Sequence, residues 1–238
     1  SDGRIDLFSS ADDIHQILDL FITTNFSDKT INQLYPSGDT LLITTNFGVL
    51  LYDIARQETR GTYTQIGTLT EPIVSSVAMT ADSLYVLVSN GVYSAPRFGV
   101  NLADGANWQQ SLPLTNTEEL RELRQTNSGL YVANGQQLLF RPNQGNWAEV
   151  SGDAALDTSI IYLGSNANFA WCITQDSLYL LQNGVSSFDA EAVGISRTSF
   201  SSDGQHWAYQ RWNTTELVDR ETGAEARPLA ELLPPTNR

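Results

Sequence analysis

The residue types that carry most enzyme chemistry are scarce in this sequence. It contains two histidines, His15 and His206, and one cysteine, Cys172, at widely separated positions. A hydrolytic triad needs a nucleophile, a histidine base and an orienting acid. A zinc site needs three or four clustered His, Cys or carboxylate ligands. The sequence has neither pattern, and both histidines stand beside apolar residues, so we interpret them as structural.

Cys172 lies in the apolar run Phe169-Ala170-Trp171-Cys172-Ile173. This setting is more typical of a small buried strand residue than of a nucleophile. A single cysteine also excludes an internal disulfide. The sequence therefore predicts no catalytic residue and no cofactor.

Acidic residues are plentiful, but their spacing does not define a site. The short acidic turns at Asp12-Asp13 and Asp153…Asp157 lack the alternating oxygen ligands of a calcium loop. We interpret them as solvated loops and predict no metal site. A glycosidase needs two carboxylates placed across a pocket, and a chain with 27 acids does not single out such a pair.

The longest predicted loop covers residues 96–107 and carries the candidate binding residues Arg97, Asn101 and Asp104. These side chains are suited to contacts with a sugar or a protein. The alternative interpretation is a surface loop held by its own contacts. The loop is not a phosphate-binding loop, because its glycines have the wrong spacing and it has no lysine.

The charge of the chain limits the classes of partner that it is expected to bind. The formal net charge is −14 and the pI is about 4.3. This charge argues against nucleic acid and against an anionic membrane surface as partners, since binding to either is favoured by clustered Lys and Arg. No run approaches the roughly 18 apolar residues of a membrane helix. The chain opens on Ser1-Asp2-Gly3-Arg4 without a signal peptide, which leaves the compartment open.

The elements that must position these residues follow a repeat. Asn46, Asn90 and Asn134 mark turns 44 residues apart, and Asn-Gly between apolar runs is the strongest short-range hairpin signal. Each turn joins two β-rich runs, and a further strand is predicted before and after each pair. The fourth strands are predicted at residues 62–66, 108–110, 147–150, 185–188 and 226–229. Four short strands in about 40 residues are typical of a β-propeller blade.

We therefore predict an all-β fold, a single β-propeller domain over residues 1–238 with four-stranded antiparallel blades. The blades are expected near residues 27–68, 69–114, 115–152, 153–190 and 191–230. Residues 1–26 form a half-blade, and residues 231–238 form an exit linker. The count of five to six blades also fits part of a seven-bladed ring. The half-blade either completes the C-terminal blade or belongs to a blade that has lost its inner half.

Two other folds compete with the propeller. A β-sandwich or an open β-solenoid also has many short strands, but a sandwich does not return the same turn every 44 residues. Helix is nearly absent from the prediction. Residues 117–123 are the one stretch that is ambiguous between helix and strand.

The N-terminal part of the sequence resembles a known family. The order of its segments resembles the N-terminal propeller of the PorZ family of the bacterial type IX secretion system, and it is also similar to two-component-regulator propellers. The resemblance covers residues 3–108 and rests on Gly3–Phe8, Asp28–Asn32, Phe47–Asp53, Thr62–Gly67, Asn90–Ala95 and Asn101–Trp108. Full-length members have further domains, so we expect this chain to be a domain fragment or a shortened relative.

The resemblance implies an extracytoplasmic location, in the periplasm or at the outer-membrane surface. It also implies a non-catalytic subunit whose partners are other subunits of a secretion or signalling complex, or an anionic lipopolysaccharide. The resemblance identifies no active-site residue in this sequence, because the matching segments are strand and turn positions. Two alternatives stay open: a periplasmic sensor propeller of a two-component regulator, and a carbohydrate-active enzyme.

Overall fold

The computed structural model describes residues 5–10, 13–17, 26–114, 121–135, 137–152, 160–175, 177–191, 195–200, 206–211, 214–219 and 227–228. It divides into two compact units, residues 1–117 and 118–238. Strands make up the regular structure of the described residues, together with one 3-10 turn, Gly105–Asn107. The ambiguous stretch at residues 117–123 ends in a strand that begins at Arg121.

Unit 1 contains two four-stranded sheets, each built from consecutive antiparallel strands. The first sheet consists of β3 (Ile31–Ser37), β4 (Thr40–Thr45), β5 (Gly48–Asp53) and β6 (Glu58–Tyr63). The second consists of β9 (Val74–Met79), β10 (Ser83–Val88), β11 (Gly91–Pro96) and β12 (Gln109–Pro113). Two small hairpins complete the unit: β1 (Ile5–Ser10) with β2 (Asp13–Ile17), and β7 (Gln65–Ile66) with β8 (Leu69–Thr70).

Unit 2 contains three further sheets with the same strand order. The third sheet consists of β13 (Arg121–Thr126), β14 (Gly129–Asn134), β15 (Gln137–Pro142) and β16 (Ala148–Glu149), and β17 (Ser151–Gly152) follows it. The fourth consists of β18 (Tyr162–Ser165), β19 (Ala170–Ile173), β20 (Ser177–Gln182) and β21 (Val185–Glu191). The fifth consists of β22 (Ile195–Phe200), β23 (His206–Arg211), β24 (Thr214–Asp219) and β25 (Arg227–Pro228).

Repetition of a four-stranded antiparallel meander confirms the predicted all-β propeller fold. The described residues form five such sheets and an N-terminal hairpin, in the same chain order as the five blades and the half-blade predicted from the repeat. The assignment of residues 1–238 to one domain with the stated blade bounds stays a prediction.

The fourth sheet departs from the predicted four antiparallel strands. β17 pairs in parallel with β21, which gives this sheet a fifth strand. The N–H of Ser151 donates to the carbonyl of Gly184 at 3.0 Å, and Ser186 Oγ donates to the carbonyl of Ser151 at 3.0 Å. Without β17, β21 would be an edge strand with unpaired backbone N–H and carbonyl groups. The chain that follows β16 pairs with some of these groups.

The asparagines of the repeat mark the hairpins but occupy different positions in them. Asn46 directly follows Thr45, the last residue of β4, whereas Ser89 separates Asn90 from Val88, the last residue of β10. Asn134 is itself the last residue of β14 and is only 1% exposed. The prediction that each asparagine occupies the same position in its turn was therefore wrong. The strand register of each hairpin depends on how its side chains pack, and not on the position of the asparagine alone.

The first sheet is buried on both faces, which explains its continuous apolar run. Leu42 belongs to a core cluster with Val77 of the second sheet. Leu41 and Ile43, which point to the opposite face, belong to a cluster with Ile17 of the N-terminal hairpin. Covered sheets of this kind need no alternation of apolar and polar residues.

The predicted fourth strands were partly wrong in their bounds. The strand expected at residues 62–66 ends at Tyr63, and Gln65–Ile66 pairs with Leu69–Thr70 across a turn in which Gly67 has φ +60°. Trp108 and Trp147 precede β12 and β16 instead of opening them. The indole N–H of Trp108 donates to the carbonyl of Leu102 at 2.9 Å, so this ring anchors the preceding loop.

Several predicted features lie outside the described residues. These are Asp12, residues 153–157 and the exit linker 231–238. His15 lies in β2 and His206 begins β23, while their side chains lie outside the described part.

Candidate functional site

Unit 1 has a half-open cleft of 440 Å³ at the end of the first and second sheets where β3 turns into β4. We call it the Arg97 cleft. Residues from both sheets and from the loop after β11 line it: Thr40, Leu42, Leu51, Arg60, Tyr63, Met79, Leu84, Arg97, Phe98 and Leu102. Its volume lies within the range of ligand-binding clefts.

The inner wall of the cleft is apolar. Leu42 and Leu84 are almost fully buried, and Leu51, Met79 and Leu102 are half-buried. All five residues belong to, or pack against, the core cluster that joins the two sheets. The wall is therefore continuous with the packed core behind it.

Arg97 is held at the rim by backbone groups. Its Nη1 donates to the carbonyl oxygens of Thr80 at 2.9 Å and Ala81 at 3.2 Å. Its own N–H donates to the carbonyl of Asp82 at 2.9 Å. Within the described part of the chain, no carboxylate lies within 4.0 Å of its guanidinium. The positive charge at this rim is therefore not neutralised by an ion pair with any residue that the structure describes.

Arg60 supplies a second cation, which is partly compensated. Its Nη1 lies 3.4 Å from Asp53 Oδ2, and half of its side chain is exposed. Burial raises the pKa of the Tyr63 hydroxyl, and the charge of Arg60 opposes that shift. Tyr63 therefore stays protonated at neutral pH and adds no charge to the lining of the cleft.

Phe98 is the most exposed large apolar side chain of the described residues, at 71%. The carbon Cζ of Arg97 lies 5.1 Å from the centre of its ring, within the range of a cation–π contact. The aromatic ring and the cation thus stand side by side at the mouth of the cleft.

The loop after β11 is tied down by its own polar groups. Asn101 Oδ1 accepts from the N–H of Ala103 at 3.1 Å, and Asp104 Oδ1 accepts from the N–H of Ala106 at 3.0 Å. Asn107 Nδ2 donates to the carbonyl of Asn101 at 2.9 Å. The local sequence explains this, because Asn and Asp readily bond to backbone groups two residues ahead.

The three loop residues predicted from sequence therefore have different positions. Arg97 lines the cleft, whereas Asn101 and Asp104 are not among the lining residues and use side-chain oxygens to shape the loop. Sequence reasoning missed Arg60 and Phe98. An aromatic residue beside an arginine in a polar loop was a signal for Phe98; nothing in the pattern of β6 singled out Arg60.

Cys172 has the environment expected of a structural residue. Its side chain is fully buried in the core of unit 2, and burial raises the pKa of its thiol to about 12. A thiol with this pKa is protonated at physiological pH and is a poor nucleophile.

A second cleft, of 420 Å³, lies in unit 2. It is lined by Ser128, Phe140, Pro142, Asn146, Ala148, Glu149, Asn183 and Gly184. Glu149 is the one charged residue in its lining. This second cleft therefore lacks the arginine side chains that line the Arg97 cleft.

The described residues contain neither a clustered metal-ligand set nor a membrane-spanning helix. That part of the chain has no group of three or more His, Cys, Asp or Glu placed to hold a metal ion. It also has no helix with the length and apolarity needed to cross a membrane.

Comparison with known families confirms the resemblance seen in the sequence. Residues 1–109 match the family described as "TSS9, PorZ, N-terminal beta-propeller domain". This matched segment contains every residue that lines the Arg97 cleft. No curated protein matches the sequence.

Several solved structures are similar to this chain at low sequence identity. PorZ of Porphyromonas gingivalis is 18% identical over 95% of this chain and 36% of its own, with a TM-score of 0.48. The WD40 domain of Neurospora crassa Pan2 is 14% identical over 84% and 65%, with a TM-score of 0.61. The extracellular domain of a putative hybrid two-component system of B. thetaiotaomicron is 13% identical over 87% and 28%, with a TM-score of 0.58. The chain thus spans about a third of the length of the solved PorZ.

Proposed function

We propose that this chain is a non-enzymatic binding and scaffold propeller of the bacterial type IX secretion machinery, engaging partner subunits or an anionic glycolipid at the outer membrane. The match of residues 1–109 to the PorZ propeller family carries this proposal. The chain as a whole is proposed to form one propeller domain.

The geometry of the Arg97 cleft supports a binding role. Packed sheets hold a rigid apolar wall, and a loop fixed by internal hydrogen bonds places a cation and an aromatic ring at its mouth. Exposed Arg and aromatic groups on rigid supports are typical of binding hot spots. The buried Cys172, with its raised pKa, supports a non-catalytic role.

The proposed location is extracytoplasmic, in the periplasm or at the outer-membrane surface. Two similar structures support it by their descriptions: the solved PorZ is described as a bacterial surface component, and the two-component-system relative is an extracellular domain. The net charge of −14 is consistent with a soluble surface that does not insert into an anionic membrane.

To test the proposal, the chromosomal gene is replaced with one that encodes an affinity-tagged protein. The molecules that co-purify with this protein after cross-linking are then identified. We expect outer-membrane secretion subunits or lipopolysaccharide, and we expect deletion to impair secretion of type IX cargo. Arg97→Gln should weaken the co-purification, whereas Arg56→Gln, at an exposed arginine that does not line the cleft, should not.

Two outcomes would overturn the proposal. One is recovery of the tagged protein in the cytoplasm after spheroplast fractionation. The other is unchanged cargo secretion in the deletion strain. A parent gene that also encodes a membrane helix and a kinase would indicate the sensor alternative.

A further inference from the structure

We infer that the Arg97 cleft binds an extended peptide segment in which an acidic side chain is flanked by a large aliphatic or aromatic side chain. This inference rests on the proposed binding role, but not on the assignment to type IX secretion. It names the class of ligand, the groups that contact it and the chemistry that favours it.

The first argument is the apolar surface that the cleft leaves accessible. Leu51, Met79 and Leu102 are half-buried, and Phe98 is 71% exposed at the mouth. A pocket of 440 Å³ has room for a few side chains of a bound segment. Covering this surface with an aliphatic or aromatic side chain removes apolar area from water, which favours binding.

The second argument is charge complementarity. The chain has a net charge of −14, yet two guanidinium groups line this cleft. Arg60 is partly neutralised by Asp53 at 3.4 Å. Arg97 has no carboxylate within 4.0 Å among the described residues, and its Nη1 bonds only to neutral carbonyl groups. A guanidinium has five N–H donors, so donors beyond Nη1 are available to a ligand carboxylate.

The third argument is preorganisation. The bonds from Arg97 to Thr80 and Ala81, and from Trp108 to Leu102, fix the loop before any ligand arrives. A preformed loop avoids the entropy cost of ordering upon binding. The cation and the apolar wall are therefore presented together, which suits a ligand that carries both features on neighbouring residues.

The same lining disfavours a sugar as the ligand. Besides its two arginines, the polar residues that line the cleft are Thr40 and Tyr63. A sugar carries many hydroxyl groups, and each one buried without a partner costs binding free energy. An acidic peptide needs partners for its carboxylate at the rim, while its apolar neighbour covers the wall.

The experiment selects a phage-displayed library of random heptapeptides on the purified 238-residue chain. We expect the enriched peptides to place Asp or Glu beside, or one residue from, Leu, Ile, Met or Phe. Synthetic copies are then measured by fluorescence anisotropy. Replacing the acid by its amide, or Arg97 by Gln, should weaken binding roughly tenfold or more, because a hydrogen-bonded charge pair is lost.

Two variants separate binding from folding. Phe98→Ala removes a ring that is mostly exposed, so it should keep the fold and still weaken binding several-fold. Arg56→Gln removes an exposed arginine outside the lining and should leave binding unchanged. Near-ultraviolet circular dichroism and thermal unfolding check that each variant keeps the native structure.

Three results would overturn the inference. They are enrichment of peptides without an acid, binding that is insensitive to both Arg97→Gln and Phe98→Ala, and Arg97-dependent binding of purified lipopolysaccharide in place of peptide. The last would leave the proposed function standing with another ligand class. Conversely, failure of the secretion test would not affect selection of acidic peptides by this cleft.

Discussion

The side-chain carbonyl oxygen of Gln33 accepts a hydrogen bond from the backbone N–H of Val77 at 2.7 Å. Gln33 lies on the first strand of one sheet and Val77 on the first strand of the next. The same oxygen accepts from Ser76 Oγ at 2.9 Å. Unit 2 repeats the arrangement, since Glu122 Oε2 accepts from the N–H of Leu163 at 2.7 Å. In each unit, one acceptor side chain joins the first strands of neighbouring sheets.

Gln33→Leu should destabilise the chain, because it leaves the Val77 N–H between the two sheets without this acceptor. An unsatisfied donor of this kind costs about 1–3 kcal/mol of unfolding free energy. Urea denaturation followed by tryptophan fluorescence measures the loss. Gln33→Glu keeps the acceptor and should cost much less.

Gln109→Ala is the matched control, because Gln109 is exposed and its Nε2 makes a long bond of 3.3 Å to Ala106. Its effect should stay within about 0.5 kcal/mol. An equal loss for Gln33→Leu and Gln109→Ala would contradict the proposed role of the inter-sheet bond.

Gly91→Ala should be strongly destabilising. Gly91 has φ +147°, and an added Cβ would overlap the carbonyl oxygen of Leu112 on the paired strand. Separating β11 from β12, together with the backbone strain, should cost at least about 2 kcal/mol. Gly38→Ala is the comparison, since Gly38 has φ +57° and no heavy atom within 4 Å of the added Cβ. Its cost should be limited to the backbone strain, about 1–2 kcal/mol. Similar urea midpoints for the two variants would show that the close approach does not matter.

Asp28→Asn should make stability less dependent on pH in the acid range. The Asp28 carboxylate accepts from Asn46 Nδ2 and Thr30 Oγ1, both at 2.7 Å, and these bonds lower the pKa of the carboxyl group below 3.8. A lowered folded-state pKa contributes stability above pH 3.8, and this contribution is lost as the pH falls through the folded-state value. The difference in Tm between the parent chain and the variant should therefore be present at pH 7 and shrink below pH 3.8. A difference that is constant from pH 7 to pH 3 would refute the assignment.

Cys172 should not react in the folded protein. Its pKa of about 12 and its complete burial leave almost no accessible thiolate at pH 8. Labelling with dithionitrobenzoate should be negligible over an hour and reach one thiol per chain in guanidinium chloride. Complete labelling of the native chain within minutes would contradict the buried position.

Local patterns in the sequence determined much of this fold. Apolar runs such as residues 41–43 and 84–88 form strands wherever they are covered on both faces, and turn residues separate them at intervals that suit a four-stranded meander. The scarcity of His and Cys, the acidic charge and the resemblance over residues 3–108 also follow from the sequence alone. These features depend on residue types and on the order of residues over short segments, so they can be predicted from the sequence without the structure.

Only the tertiary structure decided how the chain arranges its sites. Pairing placed Asn134 inside a strand and added β17 to a neighbouring sheet, because register depends on contacts between segments distant in sequence. Arg60 and Arg97 are 37 residues apart in the chain, yet they line one cleft because the two sheets that carry them pack together. Asn101 and Asp104, which share a loop with Arg97, turn their oxygen atoms to their own backbone. Proximity across sheets and the use of each polar atom are properties of packing, which no single segment specifies.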